Sequence, residues 1–300
     1  LAEQPSVKFG YEAAVCGGIP IIHALQRDFI SDNILQVAGI MNGTTNFILS
    51  KMELEGADYA GTLAEAQALG FAEADPAADV EGWDARSKLC ILTKLAFGVH
   101  VPEEQIYCRG ITQVTGDDFQ FAKDLESSIK ILGVSRRGTD GVELYVSPVI
   151  VPYSNMMSKI TGAGNIIQVL SSSLQESFFV GKGAGRFPTA NSVVSDMVLL
   201  AQTALPSPFP FKASISAASD FTSSFYMRLT VTESATVEKL SEIYHKHGTK
   251  VLRHLTLPAR SGTLALLSEK TKLSTMRTIA TELAAQGYTQ GEPLLLPLGE

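Results

Sequence analysis

The sequence predicts an α/β (α+β) protein with two domains, a mixed-sheet domain followed by a smaller domain of strands and helices. Three observations support this prediction. Segments with helical spacing of apolar residues alternate with short β-type segments as far as about residue 204. The proline-rich stretch Leu-Pro-Ser-Pro-Phe-Pro, residues 205–210, then interrupts both patterns. Beyond it, the segments follow the order strand, helix, strand, strand, helix, strand.

The elements of the first domain are predicted from apolar periodicity and from breaks at Gly and Pro. Apolar residues three or four positions apart indicate helices, and short alternating or β-branched runs indicate strands. The predicted helices are residues 21–29, 47–53, 63–70, 83–97, 117–128 and 190–204, and the predicted strands are residues 7–15, 34–40, 129–135, 142–151, 164–170 and 178–180. This alternation favours a mixed sheet that helices cover on one face.

The elements of the second domain follow the connector. The predicted strands include residues 225–231, 250–257 and 262–267, and the predicted helices are residues 237–247 and 274–286. Their order is that of the split β-α-β, or ferredoxin-like, arrangement.

Composition and charge restrict the classes of function. The 300 residues are 45% hydrophobic and carry a formal net charge of −7, which argues against nucleic acid or an anionic membrane surface as partner. No apolar run reaches the roughly 20 residues needed to span a bilayer. The three cysteines, Cys16, Cys90 and Cys108, lack metal-ligand spacing and indicate reduced thiols in a cytoplasmic protein.

Four ionisable side chains lie close together in the sequence at the start of one predicted helix. Residues 70–88 read GFAEADPAADVEGWDARSK, a loop broken by Gly and Pro that leads into the helix at residue 83. Asp84 and Lys88 are four residues apart and therefore share one helix face. Glu73 and Asp79 precede them in the loop. An isolated Asp-x-x-x-Lys pair is typical of a solvated ion pair, so the spacing by itself leaves the function open.

Three glycine-containing segments are candidates for binding. Residues 12–20 contain consecutive glycines, which let the backbone turn and expose carbonyl groups. Gly43 and Thr44 enter a helix, where free N–H groups can hold a carboxylate. Residues 181–190, GKGAGRFPTA, form a second glycine-rich turn before a helix. Taken alone, these patterns are explained by a strand-to-helix turn, a helix cap and a tight turn.

The block at residues 70–88 resembles the signature of homoserine dehydrogenase, G-Y-x-E-x-D-P-x-x-D-x-x-G-x-D-x-x-x-K. Every charged position matches, and the one departure is Phe71, where the family commonly has tyrosine. A pattern of this length with fixed spacings is a specific signal. The second glycine-rich turn is similar to the family's G-x-G-A-G…T-A-x-x-V-x-x-D block. The resemblance covers most of residues 9–204 and, more weakly, residues 213–296.

The resemblance implies a domain plan and an activity. It implies a catalytic domain at residues 12–204, a linker at 205–212 and an ACT-like regulatory domain at 213–300. The family interconverts L-homoserine and L-aspartate 4-semialdehyde with NAD(P), in threonine, methionine and isoleucine biosynthesis. It also binds a monovalent cation, sodium or potassium. An ACT-bearing chain is expected to form a homodimer or homotetramer.

The resemblance also assigns roles to individual residues. It implies Lys88 as the catalytic proton donor with Asp84 as the acid beside it. The implied substrate-binding residues are Glu73, Asp79, Asp84, Gly43 and Thr44, the cofactor-binding residues are Gly70 and Gly185, and the cation ligands are the backbone oxygens of Glu12, Val15, Gly17 and Ile19. His23 is expected to be a surface or packing residue rather than a base or a ligand.

The sequence has no Gly-x-Gly-x-x-Gly after a strand near its start. The resemblance implies that a dinucleotide-binding domain precedes residue 12, with residues 1–11 as its last strand. We therefore expect that this chain alone does not bind NAD(P)H with micromolar affinity, and that the absent domain decides between NAD and NADP. The alternative is a truncated, non-catalytic amino-acid-binding or regulatory module. The ACT-like turn at residues 233–236 lacks the glycine of an effector site, which favours a dimerising role.

Overall fold

The computed structural model of the protein describes residues 8–202, 215–258, 260 and 262–299. In these ranges the chain forms a six-stranded sheet, a four-stranded sheet and a two-stranded ribbon. The predicted linker at residues 205–212 and residues 1–7 of the predicted N-terminal strand lie outside the described residues. None of the described helices is both long enough and apolar enough to cross a membrane.

The bounds of the elements in this part of the chain are as follows. The helices are α1 (Ile21–Arg27), α2 (Gly43–Glu55), α3 (Tyr59–Ala68), α4 (Ala77–Val80), α5 (Trp83–Phe97), α6 (Gly116–Asp124), α7 (Arg186–Gln202), α8 (Val237–Lys246) and α9 (Leu273–Ala285). The strands are β1 (Ile34–Ile40), β2 (Tyr107–Cys108), β3 (Ser127–Arg137), β4 (Val142–Pro152), β5 (Gly164–Ser171), β6 (Gln175–Lys182), β7 (Thr222–Ser223), β8 (Phe225–Val231), β9 (Val251–Thr256), β10 (Thr263–Ser268), β11 (Thr271–Lys272) and β12 (Thr289–Pro297). Short 3-10 helices are Glu12–Ala14, Glu103–Gln105 and Met156–Lys159.

The six-stranded sheet has the order β2-β4-β3-β1-β5-β6. Strands β3 and β4 pair antiparallel along their whole length, from Ser127 opposite Pro152 to Arg137 opposite Val142. Strand β1 pairs antiparallel with both β3 and β5, whereas β2 pairs parallel with β4. The predicted mixed sheet is therefore confirmed.

Helix α5 packs on one face of this sheet. Its residues Leu89, Leu92 and Leu95 are fully buried at a spacing of three, which gives the helix an apolar side. They join Ile131 and Val146 of the sheet in one core cluster. The core therefore fixes how α5 lies on the sheet and where its N-terminal turn, with Asp84 and Lys88, is placed.

The opposite face of the sheet is buried as well, although the sequence favoured a sheet covered on one face. Leu132 and Val134 belong to a second core cluster, which they share with Met227 of β8. Tyr145 of β4 stacks on Phe221, with ring centroids 4.1 Å apart. The C-terminal domain thus contributes side chains to the core of the first domain. The alternation of residue types along a strand cannot indicate such a contact between domains.

The four-stranded sheet has the order β12-β8-β10-β9, and all its neighbours are antiparallel. Along the chain the elements run β8-α8-β9-β10-α9-β12, so the predicted ferredoxin-like arrangement is confirmed. Helices α8 and α9 bury Tyr244 and Ile279 in the second core cluster. On β8, Tyr226 donates to the buried carboxylate of Asp118 on α6 at 2.7 Å, which joins the two domains.

Several local predictions are wrong, and helices α3 and α7 begin at Tyr59 and Arg186 rather than at residues 63 and 190. A strand was predicted at residues 7–15, but residues 8–11 have no regular structure and Glu12–Ala14 is a 3-10 helix. The Glu12 carboxylate accepts N–H groups of α1 and so turns the chain there. Helix α2 begins at Gly43, not at residue 47, because the Asn42 side chain caps it. Helix α6 ends at Asp124, before Glu126 with its positive φ of 50°.

Candidate active site

The N-terminal turn of α5 brings a lysine and a carboxylate together. Gly82, at the helix N-cap, has a φ of +81°, a left-handed conformation that glycine adopts without strain. One turn later, the Lys88 ammonium lies 2.7 Å from the Asp84 carboxylate and is 19% exposed. The ammonium also donates to the carbonyl oxygen of Met41 at 3.1 Å. The predicted pair is therefore held from two sides, by α5 and by the end of β1.

Asn42 is the residue that sequence reasoning missed. Its carboxamide nitrogen donates to Asp79 at 2.7 Å and to Asp84 at 2.9 Å. Its carboxamide oxygen accepts from the backbone N–H of Thr45 at 2.9 Å, which caps α2. Since an amide has both donor hydrogens and an acceptor, one side chain can cap a helix and hold two carboxylates. An Asn directly before Gly-Thr at a helix start was the available signal.

The environment of Asp79 alters its proton affinity. Burial raises the pKa of the Asp79 carboxyl, and the neighbouring Asp84 charge raises it further. The hydrogen bond from Asn42 acts in the opposite direction, because it favours the ionised form. The Thr44 side chain and the Lys88 charge also lower the pKa of Asp79, so the Asn42 hydrogen bond is the first of three influences that oppose burial.

Gly43 and Thr44 form the first turn of α2. Thr44 donates its hydroxyl to the carbonyl oxygen of Phe71 at 2.6 Å, which ties the loop after α3 to this turn. A Cβ on Gly43 would lie 2.9 Å from the carbonyl oxygen of Ala163, so only glycine fits without displacement. As residues of the first turn, both have backbone N–H groups that no residue of the helix accepts.

Two predicted site residues stand apart from this cluster. The Glu73 side chain is exposed, and among the described residues its carboxylate has no hydrogen bond or ion pair. Gly70 has a φ of +75° in an open turn, with no neighbouring atom within 4 Å of a Cβ built there. The structure therefore unites Asp79, Asp84 and Lys88, but it does not bring Glu73 into contact with them.

The two glycine-rich segments pack against each other. The N–H of Gly18 donates to the carbonyl oxygen of Lys182 at 3.0 Å. The Ser192 hydroxyl of α7 donates to the carbonyl oxygen of Gly17 at 2.5 Å. Gly185, directly before α7, has a φ of +113°, which favours glycine. These two hydrogen bonds therefore connect the segment of the predicted cation ligands to the residues on either side of Gly185.

A buried ionic cluster reinforces this contact. His23 of α1 lies 2.9 Å from Glu12 through Nδ1 and 2.9 Å from Asp196 of α7 through Nε2. Asp196 also accepts the backbone N–H of Glu12 at 2.9 Å. Burial raises the pKa of the Glu12 carboxyl, while hydrogen bonds and the nearby His23 lower it. His23 thus holds two segments together, consistent with the packing role predicted for it.

Asn165 lies where the glycine segments meet the first turn of α2. Its carboxamide nitrogen contacts the Cys16 sulfur at 3.5 Å, and its carboxamide oxygen is buried with no partner among the described residues. A Cβ on Gly183 would lie 2.3 Å from this side chain. Burial raises the pKa of the Cys16 thiol to about 11, although the Lys88 charge acts in the opposite direction. Cys16, in the segment of the predicted cation ligands, and Lys88 both contact the carbonyl oxygen of Met41, at 3.8 and 3.1 Å, so the two side chains are neighbours.

The described part of the chain contains no group of three His, Cys, Asp or Glu side chains able to hold a metal ion. Backbone oxygens are the remaining ligand type, and they suit a hard monovalent cation. The carbonyl oxygens of Gly17 and Ile19 already accept one hydrogen bond each, and each keeps a second lone pair. The chemistry of these donors suits such a cation.

Comparison with known proteins decides the family. A family model described as homoserine dehydrogenase matches residues 20–198. The chain belongs to the homoserine dehydrogenase family. A homoserine dehydrogenase from Neisseria gonorrhoeae is 44% identical over 202 residues, which are 67% of this chain and 46% of that protein. The chain spans about half the length of these curated relatives.

Solved structures of homoserine dehydrogenases share the fold. The enzyme from Thiobacillus denitrificans matches with a TM-score of 0.89 and 33% identity, over 97% of this chain and 70% of that one. A hyperthermophilic archaeal homoserine dehydrogenase in complex with NADPH matches with a TM-score of 0.56 and 27% identity, over 66% of this chain and 56% of that one. The first match includes the C-terminal domain.

Proposed function

We propose that this chain is the substrate-binding and catalytic part of a homoserine dehydrogenase, which interconverts L-homoserine and L-aspartate 4-semialdehyde with a nicotinamide cofactor. The observation that carries the proposal is the pairing of Lys88 with Asp84 at 2.7 Å, beside an Asp79 held by the same asparagine. An ammonium and carboxylates in one cluster suit a substrate with a hydroxyl and an ammonium. The family membership supports the same reaction.

Lys88 is positioned for proton transfer. An ammonium group has three hydrogens, and two of them are directed to Asp84 and to the Met41 carbonyl. The third is free to donate to the C4 oxygen of the semialdehyde as that oxygen becomes a hydroxyl. In the reverse direction, neutral Lys88 accepts the proton of the homoserine hydroxyl. Asp84 keeps the lysine oriented and balances its charge.

The polar groups around Lys88 suit the other ends of the substrate. Asp79 accepts hydrogen bonds from the substrate ammonium, since a carboxylate has more acceptor positions than Asn42 uses. Glu73, which is exposed and unpaired among the described residues, is a second acceptor for that ammonium. The free N–H groups of Gly43 and Thr44 at the start of α2 hold the substrate carboxylate.

The chain's own residues also fit the nicotinamide end of a cofactor. A bound nicotinamide supplies or accepts the hydride in this reaction. Gly185 has no side chain, and a Cβ there would have no neighbour closer than 3.7 Å, so its backbone is open to approach. Gly70 is a second open glycine. The archaeal relative solved with NADPH supports NADP(H) as a cofactor of the family.

Further parts of the proposal rest on the resemblance. The backbone oxygens of Glu12, Val15, Gly17 and Ile19 bind sodium or potassium and thereby stiffen the segment next to Cys16 and Lys88. The cytoplasmic location and the homodimer or homotetramer expected from the sequence stay predictions. The alternative, a non-catalytic amino-acid-binding module, would not explain why Lys88 is held in one orientation by Asp84 and Met41.

A chimaeric enzyme tests the proposal. These 300 residues would replace the matching part of the Neisseria gonorrhoeae relative, whose remaining chain supplies the other half. We expect the chimaera to oxidise L-homoserine with NADP⁺, and the absorbance of the reduced cofactor measures this reaction. The Lys88→Met variant should lose the activity. Calorimetry with L-homoserine and the 300-residue chain gives a second measurement. A folded chimaera without turnover, together with no homoserine binding, would refute the proposal.

A further inference from the structure

A short turn, residues 183–185, connects β6 to α7 and carries Gly185, beside which the nicotinamide is proposed to lie. The ladder between β5 and β6 ends at the pair Gly164 and Lys182, one residue before this turn. Beyond the ladder, the turn lies on a side chain. A Cβ built on Gly183 would lie 2.3–2.5 Å from three atoms of the Asn165 carboxamide. The turn is therefore in close contact with Asn165.

The opposite side of Asn165 faces the start of α2. The Asn46 carboxamide nitrogen of α2 lies 2.9–3.2 Å from three backbone carbonyl oxygens in residues 160–164, which joins the start of β5 to α2. A Cβ on Gly43 would lie 3.4 Å from the Asn165 carboxamide oxygen. Asn165 thus lies between the turn proposed to hold the substrate carboxylate and the turn proposed to lie beside the nicotinamide.

A third contact of Asn165 leads to Lys88. The Asn165 carboxamide nitrogen lies 3.5 Å from the Cys16 sulfur. The Cys16 thiol and the Lys88 ammonium in turn share the carbonyl oxygen of Met41. One buried amide therefore touches, directly or through one residue, the three segments that the proposed reaction brings together.

The stability of the fold does not account for an amide at this position. Asn165 is 1% exposed, and its carboxamide oxygen has no hydrogen-bond partner among the described residues. A buried polar atom without a partner costs about 1–3 kcal/mol. Gln168, also buried on β5, accepts from Gln36 at 3.1 Å and donates to Glu176 at 3.0 Å. Gln168 thus stabilises the sheet, whereas Asn165 has an unpaired oxygen where the parts of the site meet.

We propose that Asn165 is a positioning residue for hydride transfer, an inference that rests on the proposed function and deepens it. During oxidation, the hydride leaves C4 of homoserine for the nicotinamide ring while neutral Lys88 takes the hydroxyl proton. This step requires the two reacting carbons to approach within about 3–3.5 Å. The Asn165 carboxamide sets the separation between the glycine turn on one side and α2 with Lys88 on the other. Its displacement therefore slows hydride transfer more than it weakens binding.

Two variants of the chimaeric enzyme test this role. Asn165→Ala removes the side chain on which the turn lies, and Gly183→Ala pushes that side chain aside without removing it. We expect each to lower kcat about 10- to 100-fold, the range for a misplacement of about 1 Å. The deuterium isotope effect with homoserine deuterated at C4 should rise, because hydride transfer becomes the slower step. Fluorescence titration should give a nearly unchanged Kd for NADPH.

Gln168→Ala is the matched control, because it removes a buried amide from the same strand. It breaks two hydrogen bonds, so it should lower the melting temperature more than Asn165→Ala while kcat and the isotope effect stay at their native values. In the double variant Asn165→Ala/Gly183→Ala, the new methyl group occupies the space of the lost carboxamide. Its melting temperature should therefore lie above that of Gly183→Ala alone.

The outcomes separate this inference from the proposed function. An active chimaera whose kcat or isotope effect is unchanged in Asn165→Ala would overturn the positioning role alone, as would equal kinetic losses in Gln168→Ala. Additive losses of melting temperature in the double variant would rule out the contact between Asn165 and the turn. A folded chimaera that is inactive with all native residues would overturn the proposed function and this inference with it.

Discussion

The carboxamide nitrogen of Asn42 lies 2.7 Å from a carboxylate oxygen of Asp79 and is directed at it. The same nitrogen lies 2.9 Å from Asp84. One amide therefore sets the distance between two carboxylates that would otherwise repel each other. It also links the start of α2, which carries Gly43 and Thr44, to the start of α5, which carries Asp84 and Lys88.

Asn42 is expected to control the acid side of the activity profile. Burial already raises the pKa of Asp79, and the Asn42 hydrogen bond lowers it. Asn42→Ala removes the lowering contribution, so the pKa rises further and the acid limb of kcat/KM moves to higher pH. The helix cap is lost too, at a cost of about 1 kcal/mol. Asp58→Ala, which removes the cap of α3, is the control that should leave the limb in place.

Lys88→Ala is expected to lower turnover far more than substrate affinity. Loss of a positioned acid–base group typically reduces the rate by about 10²- to 10⁴-fold. The measurement is kcat and KM of the chimaeric enzyme with L-homoserine. Lys123→Ala, an exposed lysine on α6, serves as the control. Wild-type kinetics in Lys88→Ala would remove Lys88 from the mechanism.

Glu73→Ala is expected to weaken substrate binding as well as turnover. Its carboxylate is exposed and unpaired in the described part of the chain. The substitution should therefore reduce substrate binding without reducing the stability of the fold. A charged hydrogen bond contributes about 1.5–3 kcal/mol, which corresponds to a KM about 10- to 100-fold higher. The melting temperature should not change. If KM stays constant, Glu73 does not contact the ammonium.

Asp118 is expected to hold the two domains together. It accepts from Tyr226 at 2.7 Å and from Arg228 at 3.0 Å, and it is fully buried. Asp118→Ala leaves the buried Tyr226 hydroxyl and the Arg228 charge without their acceptor, at a cost of about 3 kcal/mol. Urea unfolding measures this loss. Asp124→Ala, at the exposed last residue of the same helix, should change stability by less than about 0.5 kcal/mol. Equal losses would contradict the account.

Gly110→Ala is expected to lower the stability of the protein and to displace the backbone next to Asp79. The new methyl group would meet the Val80 carbonyl oxygen at 2.1 Å, and backbone atoms cannot yield as a flexible side chain can. Overpacking of this kind costs about 1–3 kcal/mol. Thermal unfolding and the KM for homoserine provide the measurements. Gly116→Ala, with no atom within 4 Å, should be tolerated, and equal tolerance at Gly110 would rule out the tight contact.

Local patterns were sufficient for most secondary structure. Strand β1, helix α5 and strand β8 have the predicted bounds, because each has an uninterrupted apolar period between clear breaks. The start of α2 was misplaced, since it depends on how the Asn42 side chain folds back onto Thr45. The turn at Glu12 was misread because it depends on two tertiary contacts, the Glu12 carboxylate with the N–H groups of α1 and the Glu12 N–H with Asp196, which lies 184 residues away in the sequence.

By itself, the sequence determined the family, the ferredoxin-like order of the second domain and the candidate set of Asp79, Asp84 and Lys88, because these depend on residue types at short fixed spacings. Only the tertiary structure decided which of the candidates touch, that Asn42 joins them and that Glu73 stands apart. It also decided that Arg277 and Glu81, almost two hundred positions apart, line one cavity. Such contacts form when sheets and helices pack against each other, and the local periodicity of the sequence cannot predict them.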